Sequence, residues 1–212
     1  MKALVTAGPT LEKIDPVRYI SNFSSGKQGY AIAKALLDVG FDVTLISGPT
    51  NLPPIEQIKI IKIESAEEML KASLAALPVD IAIFTAAVCD WKIETQSTQK
   101  LKKETGIDHL NLKLVKNPDI LKIVSNLQNR PKTVVGFAAE TNNIIENAKK
   151  KLIEKNCDII IANSVAENNS AFGSDENEVY FITKSSEEYF AKQSKHKIGS
   201  LLVEKIISLN KL

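Results

Sequence analysis

The chain has 212 residues, and its 27 basic and 25 acidic side chains leave a formal charge of +2 at pH 7. This length allows one large α/β domain or two small ones, and the apolar content of 44% is typical of a globular protein. The small net charge argues against the strongly basic type of nucleic-acid-binding protein. Two cysteines and two histidines are too few for a disulfide framework or a multi-histidine metal site, so we expect reduced thiols in a cytoplasmic protein.

The sequence predicts no membrane segment. No apolar run approaches the roughly 20 residues that span a bilayer, and the apolar stretch at residues 1–8 is too short for a signal peptide. We therefore expect neither a membrane nor a nucleic acid among the partners.

Strands and helices alternate in the first half of the chain. Helical spacing of apolar residues predicts a helix at 29–39, and Ser65 with Glu68 predicts the capped start of a second helix that runs to residue 77. Residues 9–26 have the composition of a long polar loop. Apolar runs predict strands at 2–6, 41–47, 58–63 and 80–85.

The pattern changes between residues 91 and 115, which are polar and rich in lysine, with an alternating stretch at 109–115. We expect a β-ribbon or flap there. Beyond it, Pro118 is expected in the first turn of a helix. Further helices are predicted at 142–155 and 195–209, and strands at 133–137, 158–162 and 178–183.

This alternation predicts an α/β fold, a Rossmann-like three-layer sandwich with a mostly parallel central sheet. Since no linker interrupts the pattern, we expect one domain over residues 1–212, with a flap or dimerisation insertion at about 92–115.

The connection after the first strand reads Ser24-Ser25-Gly26-Lys27-Gln28-Gly29. It places hydroxyls and glycines where a helix begins, and free amides at a helix N-terminus bind phosphate or carboxylate. It is not the dinucleotide GxGxxG, because Ser24 occupies the first glycine position. It is not a P-loop either, because Gln28 follows Gly26-Lys27 and Ser21 stands at the first glycine position. A capped helix with glycines for close packing explains the same residues, so both interpretations stay open.

The fourth predicted strand leads into Thr85-Ala86-Ala87-Val88-Cys89-Asp90-Trp91. Ligands of open α/β sheets bind beyond such carboxyl ends, and Asp90 can hold a hydroxyl group or a hydrated Mg²⁺. A turn or helix cap is the competing interpretation for Asp90. Cys89 is interpreted as a small buried side chain rather than a nucleophile. Three other segments at element ends are candidates for pocket walls: 117–120, 136–140 and 162–163.

Two lysine clusters follow. In the run 100–103, alternation directs Lys100 and Lys102 to one side of a strand, where a lysine can neutralise charge in phosphoryl or nucleotidyl transfer. Lys151 and Lys155 lie one turn apart on one helix face and can grip a triphosphate. Solvated surface charge is the competing interpretation of both clusters.

In combination, these residues resemble the phosphopantothenoylcysteine synthetase family. The similarity extends in order over nearly the whole chain and loosens after about residue 171. The segments that carry it are 6–10, 14–22, 24–30, 86–91, 100–103, 117–120 and 136–141, with Lys151 and Lys155.

The resemblance implies a two-step ligase of coenzyme A biosynthesis. The carboxylate of 4′-phosphopantothenate attacks the α-phosphate of CTP, which releases pyrophosphate and forms an acyl-cytidylate. The amine of L-cysteine then displaces CMP and forms the amide. The cofactors that this implies are CTP, as a substrate, and Mg²⁺, which we expect to arrive with the triphosphate; no flavin is expected in this chain.

The resemblance also implies roles for individual residues. Asn22, which acts on the intermediate, and Lys100, on the flap, are expected to be catalytic. The phosphate-binding residues, of substrate or nucleotide, are expected to be Ser24, Ser25 and Gly26, and the pocket wall is expected to include Gly8, Ala139 and Asn163. The expected nucleotide contacts are Phe84, Thr85, Ala86, Asp90, Lys100, Asn117, Pro118, Asp119, Ile120, Phe137, Lys151 and Lys155.

Members of this family are dimers, so we expect a homodimer in which the 92–115 ribbon contributes to pairing. A flavin-dependent decarboxylase, separate or fused, is a possible associated protein. Cys89 departs from the alanine expected at its position. Residues 92–155 hold 13 basic and 7 acidic side chains, a net +6 that suits a triphosphate and a phosphorylated acid.

Two other functions compete with the ligase. A dinucleotide-dependent oxidoreductase would use the same type of sheet, although the missing GxGxxG counts against it. A non-catalytic nucleotide-binding module is the third hypothesis.

Overall fold

The fold is known from a computed structural model that describes residues 1–102, 109–164 and 173–210. The helices in these residues are α1 (Lys27–Asp38), α2 (Ala66–Ala75), α3 (Ile120–Ser125), α4 (Ile144–Glu154) and α5 (Lys195–Asn210). The strands are β1 (Lys2–Ala7), β2 (Glu12–Asp15), β3 (Arg18–Ile20), β4 (Asp42–Ser47), β5 (Lys59–Lys62), β6 (Ile81–Phe84), β7 (Trp91–Ile93), β8 (Leu114–Lys116), β9 (Thr133–Glu140), β10 (Ile159–Ser164), β11 (Glu176–Ile182) and β12 (Glu187–Ser194).

Eight strands form the central sheet in the order β12-β11-β10-β9-β6-β1-β4-β5. The six strands from β10 to β5 in this order pair in parallel, and β11 pairs antiparallel with both of its neighbours. The predicted Rossmann-like, mostly parallel sheet is therefore confirmed. The chain builds outward from β1 in both directions, so the strand order reverses between β1 and β6.

Helices cover both faces of the sheet. On one face, α1 and α5 bury Ile32, Leu36, Leu202 and other apolar side chains against β1, β4 and β6. On the opposite face, α2, α3 and α4 pack Met69 and their own apolar residues against the alternate side chains of the same strands. Apolar side chains on both faces explain why the central strands read as continuous apolar runs rather than alternating ones.

The long polar loop predicted at 9–26 contains the antiparallel hairpin β2–β3. The sequence did not predict this hairpin, because its strands are only four and three residues long and it lies outside the main sheet. The sequence also gave no signal for β12, an edge strand with many exposed polar side chains.

The predicted ribbon has a paired base, since β7 and β8 form an antiparallel pair from Trp91–Lys116 to Ile93–Leu114. The strand expected at 109–115 is limited to β8. Residues 103–108 of the predicted insertion, and with them Lys103, lie outside the described residues.

Helix α3 begins at Ile120, later than the sequence predicted. Asp119 is its N-cap, and its carboxylate accepts a hydrogen bond of 3.0 Å from the amide of Lys122. Pro118 therefore precedes the cap instead of lying in the first turn. Within the described residues, no helix is both long and apolar enough to cross a membrane.

Candidate active site

The N-terminus of α1 lies at the carboxyl edge of the sheet, where the chain returns after β1 and the β2–β3 hairpin. Gly26, the N-cap residue, has φ +76°, a left-handed conformation that favours glycine. A Cβ on Gly29 would lie 2.5 Å from both Ala7 Cβ and Thr85 Oγ1. The helix start therefore packs directly on the ends of β1 and β6. The close packing considered for this motif is therefore present at Gly29, and phosphate binding by the free amides stays a prediction.

A cleft of about 570 Å³ opens beyond β6 and β9, and we call it the β6–β9 cleft. Lys116, Lys151 and Lys155 supply its positive charge, and Asp90 and Asp119 its negative charge. Ten of the predicted nucleotide contacts line it together: Phe84, Ala86, Asp90, Asn117, Pro118, Asp119, Ile120, Phe137, Lys151 and Lys155.

The two predicted lysines of α4 are anchored at this cleft by carboxylates. The Nζ of Lys151 lies 2.7 Å from Oε1 of Glu140, at the end of β9. The Nζ of Lys155 forms an ion pair with Asp119, whose other oxygen caps α3. An incoming polyphosphate therefore meets ammonium groups that are already positioned, and it competes with carboxylates for them.

A second cleft, of about 350 Å³, lies over the first turn of α1, and we call it the α1 cleft. It lies at the switch point between β1 and β6, where open α/β sheets bind ligands. Five residues line both clefts: Ala86, Val88, Asp90, Phe137 and Lys151. The predicted residues that it brings together are Ser24, Ser25, Gly26, Thr85, Ala86, Asp90, Phe137, Ala139, Lys151 and Asn163.

A third cleft, of about 610 Å³, lies on the other side of the same turn, between β1 and β4. It shares Ser24, Ser25 and Lys27 with the α1 cleft. Gly8 lines none of the three clefts. Its carbonyl accepts a hydrogen bond of 3.0 Å from the amide of Ala87, so Gly8 supports the floor of the site.

Asn22 is fixed between the turn and the end of β6. Its Nδ2 donates to the carbonyl of Ala87, and its Oδ1 accepts a hydrogen bond of 3.1 Å from the amide of Ser24. Both neighbours line the α1 cleft. Asn22 itself is outside the lining of the three clefts and lies directly behind the α1 cleft wall.

Lys100 is exposed, and it also lies outside the lining of the three clefts. The segment that carries it crosses the β2–β3 hairpin, because the Ser97 amide donates to the Ile14 carbonyl over 3.0 Å. Arg18 Nη2 donates to the Leu101 carbonyl over 2.8 Å. The structure therefore places Lys100 on a strap that is anchored to the β2–β3 hairpin, and its expected contact with the nucleotide stays a prediction.

Cys89 is buried, and burial raises the pKa of its thiol. Its Sγ lies 3.6 Å from the Thr10 carbonyl and 3.9 Å from Nδ2 of Asn22. These features agree with the interpretation of Cys89 as a small buried side chain, since a reactive cysteine has a lowered pKa.

Sequence reasoning assigned no role to several lining residues of the α1 cleft, among them Lys27, Gln28, Asn177 and Lys195. Lys27 lies inside the motif at residues 24–29, where its sequence context suggests only a comparison with a P-loop lysine. Lys195 gave no signal, because a lysine at the start of a C-terminal helix looks like surface charge.

No cluster of three or more potential metal-ligating side chains occurs within residues 1–102, 109–164 and 173–210. Asp90 and Asp119 do provide carboxylate oxygens in the β6–β9 cleft. This sparse set fits Mg²⁺ held chiefly by substrate phosphates, because Mg²⁺ usually needs only one or two protein carboxylates.

Fold and clefts together define a class of protein: a Rossmann-like α/β domain with lysine-rich clefts at the switch point of its sheet. The sequence matches the family described as the DNA/pantothenate metabolism flavoprotein C-terminal domain over residues 1–209. The chain belongs to this family.

Curated relatives agree with this assignment. The coenzyme A biosynthesis bifunctional protein CoaBC of Escherichia coli (strain K12) is 43% identical over 210 residues, which cover 98% of this chain and 52% of that protein. The corresponding protein of Haemophilus influenzae is 45% identical over 204 residues, which cover 96% and 50%. The chain thus spans about half the length of these relatives, and the resemblance seen in the sequence is confirmed.

Solved structures support the fold. The crystal structure of the C-terminal domain of the bifunctional protein CoaBC superposes with a TM-score of 0.82 at 35% identity, covering 99% of this chain and 95% of that one. The DNA/pantothenate metabolism flavoprotein from Streptococcus pneumoniae gives a TM-score of 0.84 at 26% identity, covering 99% of both chains.

Proposed function

We propose that this chain is the ligase that joins 4′-phosphopantothenate to L-cysteine in coenzyme A biosynthesis, with CTP as the activating nucleotide. One observation carries the proposal: two cationic clefts meet at a common wall of Ala86, Val88, Asp90, Phe137 and Lys151. A ligase of this kind must bring two anionic substrates together, and the common wall is where their reacting ends can meet. The family membership and the names of the curated relatives support the same pathway.

The first step joins the two anions. A carboxylate oxygen of 4′-phosphopantothenate attacks the α-phosphorus of CTP. The bond from that phosphorus to the oxygen that bridges it to the β-phosphorus breaks, and pyrophosphate leaves with this oxygen. Lys151 and Lys155 would neutralise phosphate charge as the anions approach. Lys100, on its strap, would reach over the site and exclude water from the hydrolysable acyl-cytidylate.

In the second step, the amine nitrogen of L-cysteine attacks the acyl carbon. The bond from that carbon to the cytidylate oxygen breaks, CMP leaves with the bonding electrons, and the nitrogen loses a proton. The side-chain amide of Asn22 can donate to negative charge that develops on the acyl group while remaining neutral itself. Its contacts with Ala87 and Ser24 would hold that amide at the cleft wall.

Mg²⁺ would be held by the phosphates of CTP and by Asp90 or Asp119. It would supply charge neutralisation for the triphosphate.

The assembly we propose is a homodimer. Large apolar side chains are exposed on the β2–β3 hairpin and the β7–β8 ribbon, including Tyr19, Trp91 and Leu114, and Phe23 after the hairpin is 90% exposed. A patch of this kind is typical of a protein–protein interface. Because the curated relatives are bifunctional and about twice as long, a fused or separate decarboxylase is a further proposed partner.

The test is an assay of pyrophosphate release with each nucleoside triphosphate in turn, with and without 4′-phosphopantothenate and cysteine. The proposal predicts release that depends on the acid and is fastest with CTP, with phosphopantothenoylcysteine as the final product. If none of the nucleotides gave pyrophosphate release, the chain would be a non-catalytic binding module. NAD(P) binding in calorimetry would favour the oxidoreductase.

A further inference from the structure

One carboxylate behind the shared wall of the two clefts has no role in the reaction proposed above. Glu140 is the last residue of β9, its side chain is only 13% exposed, and it lines none of the three clefts. Glutamates are mostly exposed in globular proteins unless they are paired. The partner of Glu140 is Lys151, which lines both the β6–β9 cleft and the α1 cleft.

Two side chains of α4 converge on Glu140. Asn147 and Lys151 are one helical turn apart and therefore lie on the same face of α4. Nδ2 of Asn147 donates a hydrogen bond of 3.0 Å to Oε2 of Glu140, and Nζ of Lys151 lies 2.7 Å from Oε1. The two carboxylate oxygens thus have different partners, a neutral amide and an ammonium group. Because the amide contact does not involve Lys151, it can hold Glu140 in place when Lys151 moves.

Lys151 has the freedom to exchange partners. Its side chain is 40% exposed, and a lysine carries three hydrogen-bond donors on a flexible stem of four carbons. Its ammonium group can therefore turn from Glu140 to a phosphate that enters either cleft. The pair of Lys155 with Asp119 is arranged differently, because Asp119 lines the β6–β9 cleft itself and would face the phosphate.

The exchange of partners affects how strongly phosphates bind. When Lys151 contacts a phosphate, Glu140 loses its cation while it stays largely shielded from water, and an unpaired charge in such a position is unfavourable. This cost lowers the affinity of every ligand that Lys151 holds, and it is recovered when the ligand leaves. A carboxylate in this position therefore weakens binding of the triphosphate and favours release of phosphate products.

We propose that Glu140 is a positioning residue of the ligase. It holds the Lys151 ammonium group at the shared wall before the nucleotide binds, and it forms the ion pair again as the phosphate products leave. This inference rests on the proposed function, in which Lys151 neutralises phosphate charge. Glu140 acts through Lys151 and contacts no substrate. Removing its charge should consequently tighten phosphate binding, whereas the loss of a merely structural residue would weaken it.

The experiment compares Glu140→Gln with Glu146→Gln. Glutamine keeps the size of the side chain and removes its charge, and Glu146 is an exposed residue of α4 that pairs with Lys150 and lines none of the clefts. Calorimetry measures the Kd of CTP without the acid substrate, and product inhibition measures the Ki of pyrophosphate and of CMP. In Glu140→Gln, the Kd of CTP and at least one of the two Ki values should fall about 3- to 10-fold. Glu146→Gln should leave all three within about 2-fold of the wild-type values.

A double-mutant cycle tests whether Glu140 acts through Lys151. In the Lys151→Gln background, Glu140→Gln should change the Kd of CTP by less than about 2-fold, since the ion pair is already absent. An undiminished tightening in this background would show that Glu140 acts directly on the nucleotide and would overturn the inference. Unchanged or weaker CTP binding in the single variant would overturn it as well.

A milder variant covers a failure of Glu140→Gln to fold. Glu140→Asp keeps the charge but shortens its reach to Lys151, so it should tighten CTP binding in the same direction and by a smaller factor. Weaker CTP binding in this variant would contradict the inference. Failure of the proposed function is distinguishable from these results, because it would appear as a wild type that forms no phosphopantothenoylcysteine.

Discussion

The Asp15 carboxylate accepts a hydrogen bond of 3.1 Å from the backbone amide of Leu101, the residue that follows Lys100. The same carboxylate accepts hydrogen bonds of 2.9 Å from the amides of Val17 and Arg18 and from Nε of Arg18. Because Asp15 is almost fully buried, these contacts fix the strap to the β2–β3 hairpin. The position of the proposed flap lysine therefore depends on a residue far from it in sequence.

Replacing Asp15 by Asn should misplace the strap and lower the rate of acyl-cytidylate formation about 10-fold or more, since small displacements at reacting groups are costly. Asp38→Asn, at an exposed residue of α1, is the matched control. Pre-steady-state pyrophosphate release measures the rate. A wild-type rate in the Asp15 variant would show that the strap needs no such anchor.

The same variant should alter the acid stability of the protein. Hydrogen bonds from Arg18 hold the pKa of Asp15 well below its usual value of 3.8. A lowered carboxyl pKa stabilises the folded state above the usual pKa, and this stabilisation is lost as the pH falls below it. The difference in Tm between wild type and Asp15→Asn should thus have its largest value above pH about 5 and become smaller below pH about 4. A difference that grows on acidification would contradict the assignment.

Lys100→Gln should reduce acyl-cytidylate formation about 100-fold, the size of effect expected when one group that stabilises transition-state charge is removed. Because Lys100 is exposed, the Tm should not change. Lys113→Gln, at an exposed lysine beside β8, is the control. Unchanged rates in the Lys100 variant would remove this residue from the reaction.

Asn22→Asp should slow the conversion of the acyl-cytidylate intermediate to the amide rather than weaken CTP binding. The substitution replaces the amide donor with an oxygen that faces the Ala87 carbonyl, so the developing charge loses its hydrogen bond. We expect the pyrophosphate burst to persist while amide formation slows at least about 10-fold. Quenched-flow analysis separates the two steps, with Asn111→Asp as an exposed control. A wild-type time course for both steps would rule out this role.

Lys155→Gln should raise KM for CTP by about 10- to 100-fold, because it removes a charge-assisted contact to phosphate. Lys150→Gln is the control on the same helix, since Lys150 pairs with Glu146 at the surface and lines none of the clefts. Equal effects in the two variants would indicate a general loss of positive charge instead of a specific contact.

Gly29→Ala should lower the free energy of unfolding by about 1–2 kcal/mol, because the added methyl group would overlap Ala7 and Thr85 and only part of this cost is offset by better helix propensity. Urea denaturation measures the change. Lys34→Ala, on the exposed side of α1, should stay within about 0.5 kcal/mol of wild type. A stabilised Gly29 variant would mean that the helix start is not tightly packed.

The sequence predicted the central sheet well because buried parallel strands are continuous apolar runs that end at turn residues. It also predicted a ligand beyond the carboxyl end of β6, where Asp90 lines the β6–β9 cleft. The full set of nucleotide contacts that meets in this cleft was implied by the resemblance to the family and not by local pattern.

What the sequence missed depends on contacts between distant segments. The β2–β3 hairpin is specified by Asp15 and by its contact with Leu101 rather than by an apolar pattern. Lys195 became a site residue only because β12, itself unpredicted, returns the chain to the edge where α1 begins. No local signal distinguishes such a lysine from surface charge.

The most direct test of the proposed function is a single-turnover experiment with CTP and 4′-phosphopantothenate in the absence of cysteine. We predict about one equivalent of pyrophosphate per active site and an enzyme-bound acyl-cytidylate, which adding cysteine converts to the amide and CMP. Pyrophosphate release that requires cysteine from the start, or that proceeds without the acid, would contradict the two-step mechanism proposed for the shared wall of the two clefts.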